Sequence, residues 1–382
     1  MVKVLLLSSE FTPRVGGIGT YVLEMAHAAT ELGHQVTVVA ADYGRDHSAS
    51  DHFLPFEVIR YRGGDHTMSH IPAKMALVQK LARQRPAYDV VHAVDWPFFL
   101  PLSLSPWRRH AHCVVSFHGT EIAFMQQRRR AVPLQMVKFW NGWSEFAVNS
   151  RDTAARLSAA FRPDPALINV TGLGVSQFWF VSPESKTQTR AILDLEPGRF
   201  VIVTLGRVVA RKGHLLLAKA LALLPLEVQQ KIHWHIIGPL LDPSYVSEIY
   251  AASSHLACQT VFSGALDAVG IRRWLTAADL FCLPGMPDPD GAVEGYGLVY
   301  LEAAACGTPA LATRLGGVTD AVIDGETGLL VAPADAEALS AALLGLYRDP
   351  AQLAALAQDA RRHAASCSWR RVVARTYASR RR

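Results

Sequence analysis

Phe200-Val201-Ile202-Val203-Thr204-Leu205-Gly206-Arg207 is an apolar, β-branched run that ends in glycine. Arg211-Lys212-Gly213-His214 follows at once and opens a helical segment. A strand that is apolar throughout is buried on both faces, as parallel strands covered by helices are. This run restarts a pattern that the chain has already shown once. Before it, strand-like runs occur at 3–8, 35–40, 89–94, 113–118, 146–150 and 168–173. After it, they occur at 234–238, 260–264, 280–285, 308–313 and 328–333. Helical spacing separates them, at 19–32 (closed by Gly33), 213–224 and 245–257. Two successive βα series predict two doubly wound, Rossmann-like α/β domains. The expected boundaries are 1–180 and 190–362, joined by the polar stretch 182–190. Residues 363–382 form a helical tail, and packing back onto the first domain is one placement for it.

Length agrees with this division, because a single core seldom grows to 382 residues. Half the residues are hydrophobic and 19% are charged, which excludes a disordered chain. The five cysteines form no CxxC pair, and most lie in apolar runs. That excludes a disulfide framework and a zinc site, and it fits a reducing cytoplasm. The opening Met1–Leu7 run is too short for a signal peptide and reads as a buried first strand. No stretch approaches the ~20 apolar residues that span a bilayer. The net charge of +5 is concentrated in clusters such as Arg128-Arg129-Arg130 and Arg380-Arg381-Arg382. Such clusters favour anionic partners or are solvated faces. Without interleaved aromatics or a known motif, they do not indicate nucleic acid.

Three segments carry chemistry. Pro13-Arg14-Val15-Gly16-Gly17-Ile18-Gly19 follows the first strand and opens a helix, so backbone N–H groups there can approach an anion. Arg207 and Lys212 flank the connection after Gly206, where a planar guanidinium and a mobile ammonium can converge on one diphosphate. Glu294-Gly295-Tyr296-Gly297-Leu298-Val299-Tyr300-Leu301-Glu302 sets two carboxylates around a helix start near Gly297. The free amides of the first turn suit a phosphate, and the carboxylates suit sugar and ribose hydroxyls. His118 ends a first-half strand, where α/β sites form. The alternative for each of these is ordinary structure: a plain βα turn, solvated cations, a paired helix glutamate, a core histidine.

Glu294 and Glu302 resemble the E-x7-E motif of the GT4 glycosyltransferases, retaining enzymes of the GT-B fold. The resemblance extends to Gly206-Arg207 with Lys212-Gly213, and to Cys306-Gly307-Thr308-Pro309, Gly316-Gly317 and Asp324–Val331. In the first half it includes Gly16-Gly17, His118-Gly119 and Val148-Asn149-Ser150. It implies two Rossmann-like domains facing across a cleft, and transfer of a hexose from a nucleotide-diphosphate sugar. It implies that Arg207 and Lys212 neutralise the leaving diphosphate, and that Gly295, Tyr296, Gly297 and Leu298 offer amides to phosphate or sugar. Glu294 would hold sugar hydroxyls, Glu302 the ribose, and His118 would face the reacting sugar. Gly16 and Gly17 would lie near phosphate or acceptor, with Val261 and Phe262 lining the base pocket. Retention would follow a front-face route, with the leaving phosphate helping to take the acceptor proton.

Two departures stand out. The family's acidic residue is missing from Thr171-Gly172-Leu173-Gly174-Val175-Ser176. Asp288-Pro289-Asp290 matches the DxD of metal-dependent transferases, but the GT-B resemblance outweighs it. No metal or other cofactor is therefore expected, with Arg207, Lys212 and the helix start performing the metal's electrostatic task. The acceptor is lipid-linked, a saccharide or a small molecule. Phe124–Arg130 with Val132-Pro133-Leu134 mixes apolar and basic residues, and reads either as a contact to an anionic membrane face or as an ordinary exposed segment. The competing functions are a nucleotide-sugar-binding protein without transferase activity and a UDP-sugar epimerase.

Overall fold

The structure is a computed structural model, and it describes residues 1–14, 16–63, 66–288, 291 and 293–378. Among the described residues, thirteen strands form two all-parallel sheets. The first contains β1 (Lys3–Leu7), β2 (Gln35–Ala41), β3 (Glu57–Tyr61), β4 (Val90–Ala93), β5 (His112–Phe117), β6 (Ser144–Val148) and β7 (Ile168–Val170), in the order β3-β2-β1-β4-β5-β6-β7. The second contains β8 (Phe200–Leu205), β9 (Ile232–Ile237), β10 (Gln259–Gly264), β11 (Leu280–Leu283), β12 (Ala310–Thr313) and β13 (Gly328–Val331), in the order β10-β9-β8-β11-β12-β13. Each sheet reverses its winding once, between β1 and β4 and between β8 and β11. In open α/β sheets, ligands bind outside the strand carboxyl ends at such reversals.

Contacts divide the chain into Met1–Leu173 with Trp369–Arg382, and Gly174–Ser368. Each unit has its own core. Leu5, Val91, Phe117 and Phe146 centre the first, and Ile202, Leu217, Trp234 and Leu311 the second. The central strands β1, β8 and β9 are buried almost end to end, which explains their unbroken apolar runs.

The structure differs from the sequence reading at three places. β3 was not anticipated: Glu57-Val58-Ile59-Arg60-Tyr61 is short, mixes charged with apolar residues and is only part-buried, because it is an edge strand. Its Arg60 is spent on Asp51, at 2.7 Å. The polar stretch 182–190 is not a free linker. Ser185 and Gln188 form a capping box for the helix Lys186–Ile192. Lys186 and Arg190 from that helix hold Asp279 at 2.9 and 2.6 Å. Third, the break near the C-terminus falls after Ser368. Arg361, on the helix Pro350–Ser366, donates to the Ala305 carbonyl at 3.0 Å within the second unit. Trp369, opening the helix Trp369–Tyr377, instead packs edge-on against Tyr21 of the first.

Candidate active site

In the second unit, the winding reversal brings the β8 loop against the loop that follows β11. Gly213 makes this approach possible. It has φ +74°, and a Cβ there would stand 1.8 Å from the Pro284 carbonyl oxygen. The β8 loop carries Arg207, Arg211 and Lys212, with the Lys212 stem lying over Gly206. Lys212 Nζ donates to Glu294 Oε2 at 2.5 Å, and Arg211 approaches the same oxygen at 3.9 Å. Glu294 is itself held through its backbone. Gly317 N–H donates to the Glu294 carbonyl at 2.9 Å, and Gly316, at φ +58°, leaves only 2.4 Å between that oxygen and a notional Cβ. Burial alone pushes the Glu294 carboxyl up, but the combined pull of Lys212, Arg211 and Arg207 outweighs it and lowers the pKa. The carboxylate is therefore charged at neutral pH.

Gly295, Tyr296 and Gly297 lead from Glu294 into the helix Leu298–Ala305, with Gly297 as its N-cap. Tyr296 is anchored by donating to the Asp320 carbonyl at 3.3 Å, and Tyr300 by donating to the Leu283 carbonyl at 2.8 Å. These bonds fix the loop and the first turn of the helix that follow Glu294. Glu302 lies half-buried on the second turn of the same helix. A cavity of about 680 Å³ opens beside the β8 loop, lined by Arg207, Arg211, Lys219, Tyr245 and Met286 among others. Val261 and Phe262 lie on β10 of the same sheet. β10 is the sheet edge and pairs only with β9, and successive side chains point to opposite faces. Phe262 packs on Tyr250 with ring centroids 4.2 Å apart. Of the DxD triplet, Pro289 and Asp290 lie outside the described residues.

The first unit gathers a different chemistry at its own reversal. After β4, Asp95 is 2% exposed. It accepts from Ser9 N–H at 2.7 Å and from the Ser9 hydroxyl at 3.2 Å, and His66 Nε2 lies 3.1 Å from it. Burial pulls the His66 pKa down, but the Asp95 carboxylate outweighs it and the net shift is upward. After β1, Glu10 accepts from Gly19 N–H at 3.1 Å, in the first turn of the helix Gly17–Glu31. Gly16 admits that carboxylate, since a Cβ there would lie 1.8 Å from Glu10 Oε1. Gly17 is open, with nothing within 4 Å of its notional Cβ. After β5, His118 Nε2 lies 3.0 Å from the Val94 carbonyl. A carbonyl only accepts, so the proton is on Nε2 and Nδ1 is the nitrogen that can accept from a ligand. Asn149 donates to the His118 carbonyl at 3.1 Å and fixes this turn.

Residues 185–363 match the family Glycosyl transferases group 1, and residues 15–176 match Glycosyltransferase Family 4. A D-inositol 3-phosphate glycosyltransferase of Rhodococcus opacus is 32% identical, covering 95% of this chain and 85% of its own length. The chain belongs to glycosyltransferase family 4. A GDP-mannose-dependent monoacylated alpha-(1-6)-phosphatidylinositol monomannoside mannosyltransferase of Corynebacterium glutamicum is 29% identical, over 96% of this chain and 94% of that one. The crystal structure of Anabaena HepE in complex with UDP and glucose superposes with a TM-score of 0.76 at 19% identity, over 98% of this chain and 97% of that one. That likeness speaks for the GT-B fold.

In this glycosyltransferase, then, the second unit brings Gly206, Arg207, Lys212 and Glu294 together, with Gly295 through Leu298 leading on from Glu294. In the first unit, Gly16, Gly17 and His118 lie at strand ends. The sequence reading passed over Arg211, Glu10, Asp95 and His66. Arg211 had the same signal as Lys212, which it precedes in the β8 loop. Asp95 had a signal, since it directly follows the apolar run 89–94 on the strand that flanks the reversal. Glu10 had the corresponding signal after β1. His66 had none, because it lies in a loop and meets Asp95 only through the fold.

Proposed function

We propose that this enzyme is a retaining hexosyltransferase that uses a nucleotide-diphosphate sugar, with the diphosphate on Arg207, Lys212 and the amides of 295–298. Sugar transfer builds positive charge at the anomeric centre and negative charge on the leaving phosphate. Two or three fixed cations and a helix start stabilise that leaving group without a metal ion. Glu294 accepts hydroxyls of the transferred sugar and Glu302 those of the ribose. His118, through Nδ1, receives a hydroxyl of the reacting sugar. Retention proceeds on one face, with the leaving phosphate taking the acceptor proton, so that Glu294 positions and does not attack. The observation that carries this reading is the convergence of Lys212, Arg211 and Arg207 on a charged Glu294 at the winding reversal.

Of a UDP- or a GDP-sugar donor, the relative named for GDP-mannose-dependent transfer favours a GDP-hexose, and the names of both relatives favour a glycolipid or polyol acceptor. No described helix is long and apolar enough to cross a membrane. The helix Arg128–Met136 leaves Arg128, Arg129, Val132 and Met136 exposed on one face. Cations beside apolar side chains suit peripheral contact with an anionic cytoplasmic membrane face. The test is calorimetry and thermal shift of the purified protein with UDP, GDP, ADP and their hexose conjugates, in EDTA. One nucleotide sugar should stabilise the parent, and Lys212→Ala should lose both that stabilisation and turnover. Binding by none of them, or only after magnesium is restored, would overturn the metal-free donor site.

A further inference from the structure

We propose that Glu294 competes with the nucleoside diphosphate for Lys212, and so expels that product once the sugar has left. The inference rests on the donor site proposed above. Lys212 Nζ is bonded to Glu294 Oε2 at 2.5 Å, and Arg211 lies 3.9 Å from the same oxygen. Lys212 is one of the cations to which the diphosphate is assigned, and Arg211 stands beside it. A carboxylate and a diphosphate cannot share them without like-charge repulsion in a partly desolvated place, since the Lys212 and Glu294 side chains are only 12% and 21% exposed.

The backbone of Glu294 is clasped by Gly316 and Gly317, so the residue does not leave the site. Only its side chain can turn away from Lys212. Bound donor supplies a compensation, because the hydroxyls of its sugar donate to the displaced carboxylate. The product nucleoside diphosphate carries no sugar and offers no such hydroxyls. Glu294 is then left charged beside the phosphates and recovers Lys212 as they depart. One side chain thereby favours intact donor over spent donor. A residue that merely held the sugar would leave the product's affinity unchanged.

Glu294→Gln keeps the shape and hydrogen-bonding reach but removes the charge. We expect the nucleoside diphosphate that the parent recognises to bind this variant about tenfold tighter, the size of one charge-assisted hydrogen bond. The matching nucleotide sugar should bind it more weakly. In Lys212→Met the diphosphate should bind poorly, and adding Glu294→Gln to it should change little, because the competition has been removed. Glu294→Asp serves as a second variant, with a shorter carboxylate that reaches Lys212 less well and a diphosphate affinity between the other two. Circular dichroism checks that each variant is folded. Unchanged or weakened diphosphate binding in Glu294→Gln would overturn the competition. If neither the parent nor any variant binds UDP, GDP or ADP, the donor site itself is wrong, which is a different failure.

Discussion

His214 is the first residue of the helix His214–Ala222, and its side chain is fully buried. Neither ring nitrogen has a hydrogen-bond partner among the described residues, and its nearest aromatic neighbour is Tyr245, edge-on at 6.2 Å. Burial, aided by the nearby charge of Lys212, pulls its pKa from 6.5 to about 4. The folded protein therefore keeps His214 neutral while the unfolded chain binds a proton near pH 6.5. Stability is unaffected above that pH and is lost as the pH falls, until the folded side chain is protonated near pH 4. The loss runs at about 1.4 kcal/mol per pH unit, and reaches roughly 3 kcal/mol for this residue. His214→Leu removes the titrating group and the unpaired polar atoms together. At pH 8 the variant should be more stable by about 1–2 kcal/mol, since a buried polar group without a partner is costly. Between pH 6.5 and 4.5 its stability should fall less steeply, by about one proton's worth. Hydrogen exchange of peptides from Phe200–Leu205 and His214–Ala222, read against pH, reports the local unfolding free energy. His235, pulled to about 3 mainly by burial, is present in both proteins and cancels in the comparison. Parallel pH profiles, or a less stable variant at pH 8, would refute the reasoning.

Two further substitutions test the scaffold of the site. Gly213→Ala places a Cβ 1.8 Å from the Pro284 carbonyl oxygen in a left-handed backbone; we expect a loss of about 2–4 kcal/mol and weaker nucleotide binding, whereas a parental urea midpoint would show that the two loops do not meet so closely. Asp279→Asn weakens a carboxylate that receives Lys186 at 2.9 Å, Arg190 at 2.6 Å and the Val201 amide at 2.8 Å; peptides of Lys186–Ile192 should exchange faster, with a cost of about 1–3 kcal/mol, and unchanged exchange would count against the docking of that helix.

The legibility of this chain follows the physics of its parts. Central strands such as Phe200–Leu205 were readable because burial on both faces leaves an unbroken apolar run. Glu57–Tyr61 was not, because an edge strand is only part-buried and admits charges that pair locally, as Arg60 does with Asp51. The second-unit site was readable because Lys212 and Glu294 each sit in a glycine-marked loop at a strand end. Their bond was not readable, since it joins residues 82 positions apart. Ser182–Arg190 misled because its polarity serves a capping box and two ion pairs, which composition does not distinguish from a solvated linker.

The two winding reversals also explain why one half of the chain was easier to read for chemistry. In the second unit, the loop that leads into the helix start after Gly297 carries Glu294, which receives Lys212 at 2.5 Å and has Arg211 at 3.9 Å. The leaving phosphate proposed for this site would call for such cations, which restricts the residue types that can serve. In the first unit, the helix Gly17–Glu31 has the same kind of start, but the chain's own Glu10 accepts from its Gly19 amide. Asp95 stands buried at the adjacent strand end. Carboxylates placed there are hydrogen-bond acceptors, and His66 stands 3.1 Å from Asp95. The glycines at 16 and 17 therefore do different work from those at 295 and 297, although the motifs look alike. Gly16 makes room for an internal anion, while Gly295 and Gly297 lead the chain from Glu294 into a helix start. The difference rests on which charged side chains the fold delivers to each helix start, and only the three-dimensional arrangement supplies that.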